Sequence, residues 1–191
     1  MENHLSTLFL KKVRDALAVV DKKPISQLNL APAAVVLLLF DKDGEYHMIL
    51  NKRSQQVEHH KGDVSFPGGV YEEGDEDLQA TALRETWEEM GIRREDVTIL
   101  GQLSELQTRS NFRIVPFVGA FPYPYTYKAN PMEVEEVLEV SINHLRDPRN
   151  RWEKMDDWWG YPSTEYYYRY KDHIIYGATA RMVHQFLTLI G

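Results

Sequence analysis

Arg84-Glu85-Thr86-Trp87-Glu88-Glu89-Met90-Gly91 is the most informative stretch of this chain. Each helical residue turns about 100°, so Glu85, Glu88 and Glu89, related as i, i+3 and i+4, share one arc within a single turn. Three like charges at that spacing repel one another. Hard divalent cations reward the arrangement, because Mg²⁺ and Mn²⁺ prefer carboxylate oxygen and bridge to phosphate oxygen. Arg84 lies about 40° from Glu88 on the same wheel, placed to pair with a carboxylate and fix its rotamer. The alternative for the triplet alone is a solvated acidic helix face.

The surroundings favour the site. Upstream, Phe66-Pro67-Gly68-Gly69 places two glycines where the backbone must approach something closely or take positive φ. An acidic run, Glu72-Glu73-Gly74-Asp75-Glu76-Asp77, leads into a helix expected from about Asp77 to Met90, with Gly91 as its terminating glycine. Such a loop–helix unit brings a backbone carbonyl near Gly69 beside the carboxylates.

Gly69 through Ile92 resembles the Nudix box, the loop–helix–loop motif of pyrophosphohydrolases. That pattern reads Gly, five residues, Glu, seven residues, then Arg-Glu-hydrophobic-x-Glu-Glu-x-Gly-hydrophobic. The closing half is present as Arg84 to Ile92. The opening half differs: Asp75 replaces the first Glu, and eight residues, not seven, separate it from Arg84. The longer box is similar to that of the coenzyme A pyrophosphatase branch. So is the segment before it, where Ile49-Leu50-Asn51-Lys52-Arg53-Ser54 and Gly62 to Gly69 follow a signature Leu-Leu-Thr-x-Arg-Ser, three residues, Arg, three residues, Gly, three residues, Phe-Pro-Gly-Gly. The second Arg of that signature falls on Glu58, a charge reversal. The likeness runs from about Ala33 to Leu187 and carries little of residues 1–30.

The resemblance implies an α/β fold, a Nudix-type α/β/α sandwich around a mixed β-sheet. It implies hydrolysis of a nucleoside diphosphate linked to another moiety, with Mg²⁺ or Mn²⁺ as cofactor. Carried over by position, Glu85 and Glu89 are the principal metal ligands and Glu88 a further ligand or base. Arg84 orients the glutamates, and the Gly69 carbonyl is a candidate ligand. Arg53, Ser54, Gly62, Phe66 and Gly68 are the substrate-binding candidates, with Arg53 either gripping a phosphate or pairing with a carboxylate. Glu133 is read as an extra base or ligand, or as a loop anchor. The leading substrate is coenzyme A or an acyl derivative, split into 3′,5′-ADP and 4′-phosphopantetheine. The alternatives are ADP-ribose, NADH or a dinucleoside polyphosphate, favoured by Glu58, and a non-catalytic ligand-binding module, which has no use for three clustered carboxylates.

Composition narrows the field further. The chain has 191 residues, 22 Lys and Arg against 29 Asp and Glu, a net charge of −7 and no cysteine. The length fits a single unit of about 150 residues with additions: residues 1–30 as a helix and connector packed on a hydrolase domain spanning 31–191. The acidic balance argues against a nucleic-acid partner. Zero cysteine excludes disulfides, thiolate metal sites and a cysteine nucleophile, and with it the Nudix-fold isopentenyl diphosphate isomerases. Eight of the 29 acids lie in Glu72–Asp77 and Glu85–Glu89, so the acidity points to a cation that would in turn hold a diphosphate anion.

The longest apolar run, Ala33 to Phe40, is eight residues, a buried strand and not a membrane span, which needs about 20. Residues 1–20 carry apolar side chains at helical spacing interrupted by Lys11, Lys12, Arg14 and Asp15, an amphipathic helix and not a signal peptide. A cytoplasmic location with no membrane partner is therefore expected. Strands are expected at Ala33–Phe40, Tyr46–Leu50, Val97–Leu106, Arg113–Phe121, Val134–Val140 and as a pair within Thr164–Tyr176. Helices are expected near Ile142–Leu145 and from Gly177 to Ile190. Arg149–Tyr161 shows no clear period. His59-His60 reads as a polar loop. Trp158-Trp159 and Tyr166-Tyr167-Tyr168 read as packing or a homodimer surface ahead of adenine stacking.

Overall fold

The computed structural model describes residues 4–22, 24–26, 29–57, 60–158 and 160–191, with the backbone alone at 4–6 and 158. Glu58, His59, Trp159 and the Trp158 ring, singled out above, lie outside this set.

An N-terminal helix α1 (His4–Ala18) precedes strand β1 (Ala31–Lys42), which turns back at Asp43-Gly44 into β2 (Glu45–Arg53). Both turn residues have positive φ, 55° and 84°, as the tightest hairpin turn demands. Short strands β3 (Val64–Ser65) and β4 (Gly68–Val70) lead to helix α2 (Leu78–Met90). Then come β5 (Thr98–Gln102), β6 (Leu106–Gln107), β7 (Phe112–Ala120) and β8 (Val134–Ser141). A short helix α3 (Ile142–Arg146) precedes β9 (Arg151–Trp158), β10 (Tyr161–Tyr170), β11 (His173–Ile175) and helix α4 (Gly177–Ile190).

The main sheet has the order β3-β2-β1-β7-β5, with β8 added on β2, β4 on β1 and β6 on β7. It is mixed, because β1 and β7 run parallel while the other pairs are antiparallel. A second sheet, β11-β10-β9, is antiparallel.

Side chains alternate across β1, and that alternation builds the layers. Ala34, Val36, Leu38 and Phe40 join Ile49, Val115 and Phe117 beneath Ala82 and Met90 of α2. Leu37 and Leu39 face the other way, with Met48, Leu50 and Val118, against Val13 and Leu17 of α1 and Val183, Phe186 and Ile190 of α4. Both faces of β1 are thus covered, which is why it reads as a continuous apolar run. The layering is helix, mixed sheet, helix, as expected.

Three expectations need correction. Val97–Leu106 is not one strand: it breaks after Gln102 and resumes at Leu106, and the register on β7 shifts between Ile99 and Gly101. A Cβ on Gly101 (φ 159°) would sit 2.8 Å from Leu17 Cβ, so close packing of α1 holds the irregularity there. Arg149–Tyr161 contains a regular strand, β9, paired with β10 from Arg151–Tyr168 to Trp158–Tyr161. The first strand is also longer than the expected Ala33–Phe40, with Asp41 and Lys42 inside β1.

Candidate active site

Helix α2 is set by its ends. The Asp77 side chain accepts from Ala80 N (2.7 Å), and Gly91 closes the helix at φ 66° with its N–H donating to Trp87 O (2.8 Å). Thr81, Ala82, Thr86 and Met90 are buried on the face toward β1. That orientation leaves Glu88 exposed, Glu85 half-buried at the helix flank, and Glu89 buried. The triplet does not share one environment.

Strand β4 brings the two glycines against both neighbours. A Cβ on Gly69 would overlap the Glu85 carboxylate, lying 2.8 Å from Oε2 and nearer to Oε1. Gly68, at φ 151°, would place a Cβ 2.6 Å from Val35 Cα on β1. The glycine pair therefore allows the box backbone to lie between β1 and Glu85, as the Gly-Gly reading anticipated.

Arg84 organises the loop. Its Nε and Nη2 donate to Asp75 Oδ1 and Oδ2 (3.0 and 3.1 Å), a bidentate pair. Its Nη1 donates to Glu85 Oε1 (2.9 Å) and Glu88 Oε2 (3.0 Å), and Nη2 also reaches Val70 O (3.2 Å). Asp75 accepts further from Glu72 N (3.1 Å) and Thr81 Oγ1 (2.8 Å), and together these donors, Arg84 first, hold its carboxyl well below the usual carboxylate range. The longer box is thus stapled by Asp75, which ties the acidic loop to the helix through Arg84 and does not face Glu89.

Glu89 sits in the tightest part of the site. Its Oε2 accepts from Asn51 Nδ2 (2.8 Å), and Arg53 Nη1 lies 3.7 Å from Oε1. Burial, with the nearby charges of Glu85 and Glu133 adding to it, pushes its carboxyl up to about 8 against the pull of Arg53 and Asn51. Burial also raises Glu85, opposed by Arg84 and reinforced by Glu88 and Glu133. Glu133 is brought to this pair by a loop stitched to the end of α2: Lys128 N donates to Met90 O and Asn130 N to Glu89 O, both 2.8 Å. Asn130 Nδ2 then donates to Glu133 Oε1 (3.2 Å), and Ser54 N to Glu133 O (2.8 Å). Among the described residues, no three Asp, Glu or His side chains form a ready-made metal cluster; Arg84 takes oxygens of Glu85 and Glu88.

The other residues of interest take different places. Arg53 faces Glu89 and belongs to the site. Ser54 is buried, its hydroxyl accepts from Gln56 N (3.1 Å), and its contact with the site is through its backbone. Gly62, at φ 75°, donates from its N–H to Arg53 O (3.1 Å), closing the loop after β2. Phe66 is a correction: it is 2% exposed and packs in the core beneath α4, so its ring holds the loop in place and offers no surface to a substrate. His60 pairs with Asp63 (3.0 Å) as a polar-loop residue. Tyr166 stacks on His184, Tyr167 on Trp152, and Tyr168 is buried, all of them packing roles. Arg181 donates to Gln107 O (3.2 Å), a contact within the fold.

A cleft of about 640 Å³ beside the N-terminal half of α2 is lined by Tyr71, Leu78, Gln79, Gln102, Arg113 and Phe117. Another, of about 430 Å³, lies behind Arg84 and Trp87. Neither has Glu85, Glu89 or Glu133 in its lining. Asn51 was missed in the sequence, because it follows the apolar Met48-Ile49-Leu50 and precedes Lys52-Arg53, where a polar residue reads as the exposed end of the strand.

With the geometry in hand, similarity to known proteins is informative. The NUDIX domain family matches residues 30–159, two-thirds of the chain, and the chain belongs to that family. It is 35% identical over 161 residues to the uncharacterized Nudix hydrolase NudL of Photorhabdus laumondii, covering 80% of this chain and 81% of that protein. It is 34% identical to Nudix hydrolase 22, chloroplastic, of Arabidopsis thaliana, over 83% of this chain, and spans 55% of that longer protein. A crystal structure from Deinococcus radiodurans superposes with a TM-score of 0.54 at 14% identity, over 87% of this chain and 88% of that one. An Ap4A hydrolase binary complex from C. elegans gives 0.51 at 19% identity, over 60% and 82%. These two speak for the fold alone. The chain is a Nudix hydrolase. No described helix is long and apolar enough to cross a membrane.

Proposed function

We propose that this enzyme is a divalent-metal-dependent pyrophosphohydrolase of coenzyme A or an acyl-coenzyme A, with residues 31–191 as its catalytic unit and α1 packed upon it. The observation that carries the metal reading is the buried carboxylate of Glu89, one helical turn from Glu85, with Arg53 Nη1 no nearer to it than 3.7 Å. A buried carboxylate short of countercharge is costly unless a cation joins it. An all-oxygen set of this kind suits Mg²⁺ or Mn²⁺. Glu85 and Glu89 would hold the ion, with Glu88 and the Gly69 carbonyl as further ligands.

A bound Mg²⁺ or Mn²⁺ would supply charge neutralisation at the diphosphate and a more acidic water. Arg84 keeps Glu85 and Glu88 in place through its hydrogen bonds. Glu133, held by Asn130, is the candidate to accept the proton of the attacking water. Arg53 faces the site with positive charge for a phosphate oxygen. Water adds at one phosphorus, the bridging P–O bond breaks, and coenzyme A yields 3′,5′-ADP and 4′-phosphopantetheine.

The coenzyme A assignment rests on the segment from Ile49 to Gly69 and on the longer box. A second reading, hydrolysis of ADP-ribose, NADH or a dinucleoside polyphosphate, is favoured by Glu58 in place of the signature Arg. Incubation with Mg²⁺ or Mn²⁺ and a panel of coenzyme A, acetyl-coenzyme A, NADH, ADP-ribose and diadenosine polyphosphates separates the two. Release of 3′,5′-ADP from coenzyme A as the preferred substrate is expected. Preference for any other member overturns the assignment, and in that case Glu58→Arg is expected to raise turnover of coenzyme A.

A further inference from the structure

Three polar atoms near Glu89 are buried without a protein partner: Asn51 Oδ1, Arg53 Nε and Ser65 Oγ. Their placement follows from the strand ladder. Asn51 and Ser65 are direct partners across β2 and β3, so their side chains share one face of the sheet. Val64 and Phe66 point into the opposite core, which leaves Ser65 on the α2 face with Asn51. Arg53, two residues on from Asn51, reaches the same carboxylate. Asn51 itself is 1% exposed.

Natural interiors rarely leave side-chain polar atoms unpaired, and those that remain are concentrated where function needs them. A carboxylate offers only acceptors, so it selects the NH₂ end of the Asn51 amide and fixes the ring of contacts around it. A neutral amide orients the anion without cancelling its charge. A Lys or Arg at this position would neutralise Glu89, and an apolar residue would leave Oε2 without a donor.

We infer that Asn51 is a positioning residue, which holds the Glu89 carboxylate in a metal-receptive orientation through the Nδ2–Oε2 hydrogen bond on the β2 floor of the site. The inference rests on Glu89 being a metal ligand. It assigns to Asn51 the part that partners of ligating carboxylates play in metal sites, where removal weakens metal affinity about 10–100-fold. Asn51 acts through Glu89, the carboxylate to which its side chain donates.

The test is Mn²⁺ binding to EDTA-stripped protein, read by electron paramagnetic resonance without substrate, beside thermal melting and steady-state kinetics. Asn51→Leu keeps the volume and removes the donor. Its Mn²⁺ dissociation constant should rise about 10-fold or more, and kcat should fall at saturating Mn²⁺ with KM near that of the native protein. Asn51→Thr restores a neutral donor and should recover most of the affinity. A folded Asn51→Leu protein that binds Mn²⁺ as the native protein does overturns the inference, because a purely structural amide would change melting alone. If Asn51→Leu does not fold, Asn51→Ala decides: a Mn²⁺ dissociation constant about 10-fold higher in the folded protein supports the role, and affinity near native overturns it. A native protein that takes up no Mn²⁺ refutes the metal site itself, an outcome distinct from failure of Asn51.

Discussion

Glu89→Gln is expected to stabilise the metal-free enzyme while abolishing its turnover. The carboxyl is buried and lifted from 4.5 to about 8. At pH 7 the unfolded chain carries it ionised, whereas the folded protein must either bury the charge or take up a proton. The gap of about 2.5 pH units between 4.5 and 7 corresponds to about 3 kcal/mol of lost stability at 1.36 kcal/mol per unit. Gln has nearly the same shape and keeps an oxygen to accept from Asn51 Nδ2, so the substitution should recover most of that. For a chain of this length the gain corresponds to roughly 6–12 °C in melting temperature. The sign with pH follows from the raised value: between about 4.5 and 8 the folded state binds more protons than the unfolded state, so stability falls as pH rises through that window. Below 4.5 both states are protonated and the penalty is absent. The assay is urea unfolding in EDTA from pH 5 to 8.5 for both proteins. Native protein should lose stability across the range, Glu89→Gln should be flatter, and excess Mg²⁺ should stabilise the native protein far more than the variant. A variant no more stable than native protein at pH 7.5 in EDTA refutes the reasoning, because the buried charge then costs nothing.

The two glycines of the box should separate fold from catalysis. Gly68→Ala places a Cβ against the β1 backbone at positive φ and should cost 3 kcal/mol or more by urea unfolding. Gly69→Ala meets first the carboxylate end of the Glu85 side chain, so it should fold near normally and lose about 100-fold in kcat as that carboxylate is displaced. Arg84→Lys removes the bidentate hold on Asp75. Because the Asp75 carboxyl lies below its ordinary 3.8, its stabilisation is complete above about pH 4 and fades in acid. Circular dichroism against pH should therefore show the variant unfolding at a higher pH than native protein, and coincident acid transitions would contradict the role given to that pair. Phe66→Leu should lower stability by about 1 kcal/mol with KM for the best substrate unchanged; a raised KM would return Phe66 to the substrate site.

What the sequence made legible was what is local along the chain. Glu85, Glu88 and Glu89 share a turn, and Asp77 and Gly91 bound that turn's helix, all within a few residues. The apolar run of β1 was legible for a related reason, since burial on both faces removes any alternation. β9 was not, because Arg151, Glu153, Lys154, Asp156 and Asp157 are poor strand formers taken alone. Its order comes from pairing with β10, where Trp152 stacks on Tyr167 and Lys154 lies opposite Glu165. The same distinction divides the site. Helical spacing places three carboxylates together, yet it does not say that Glu88 faces solvent while Glu89 is buried. That difference is made by β1 beneath α2, by Asn51 38 residues earlier in the chain, and by the loop that carries Glu133. A helix wheel treats the glutamates as equals, and only the sheet gives them different burial. The residue whose removal tests the site most sharply is therefore Glu89, the member of the motif whose surroundings the motif does not encode.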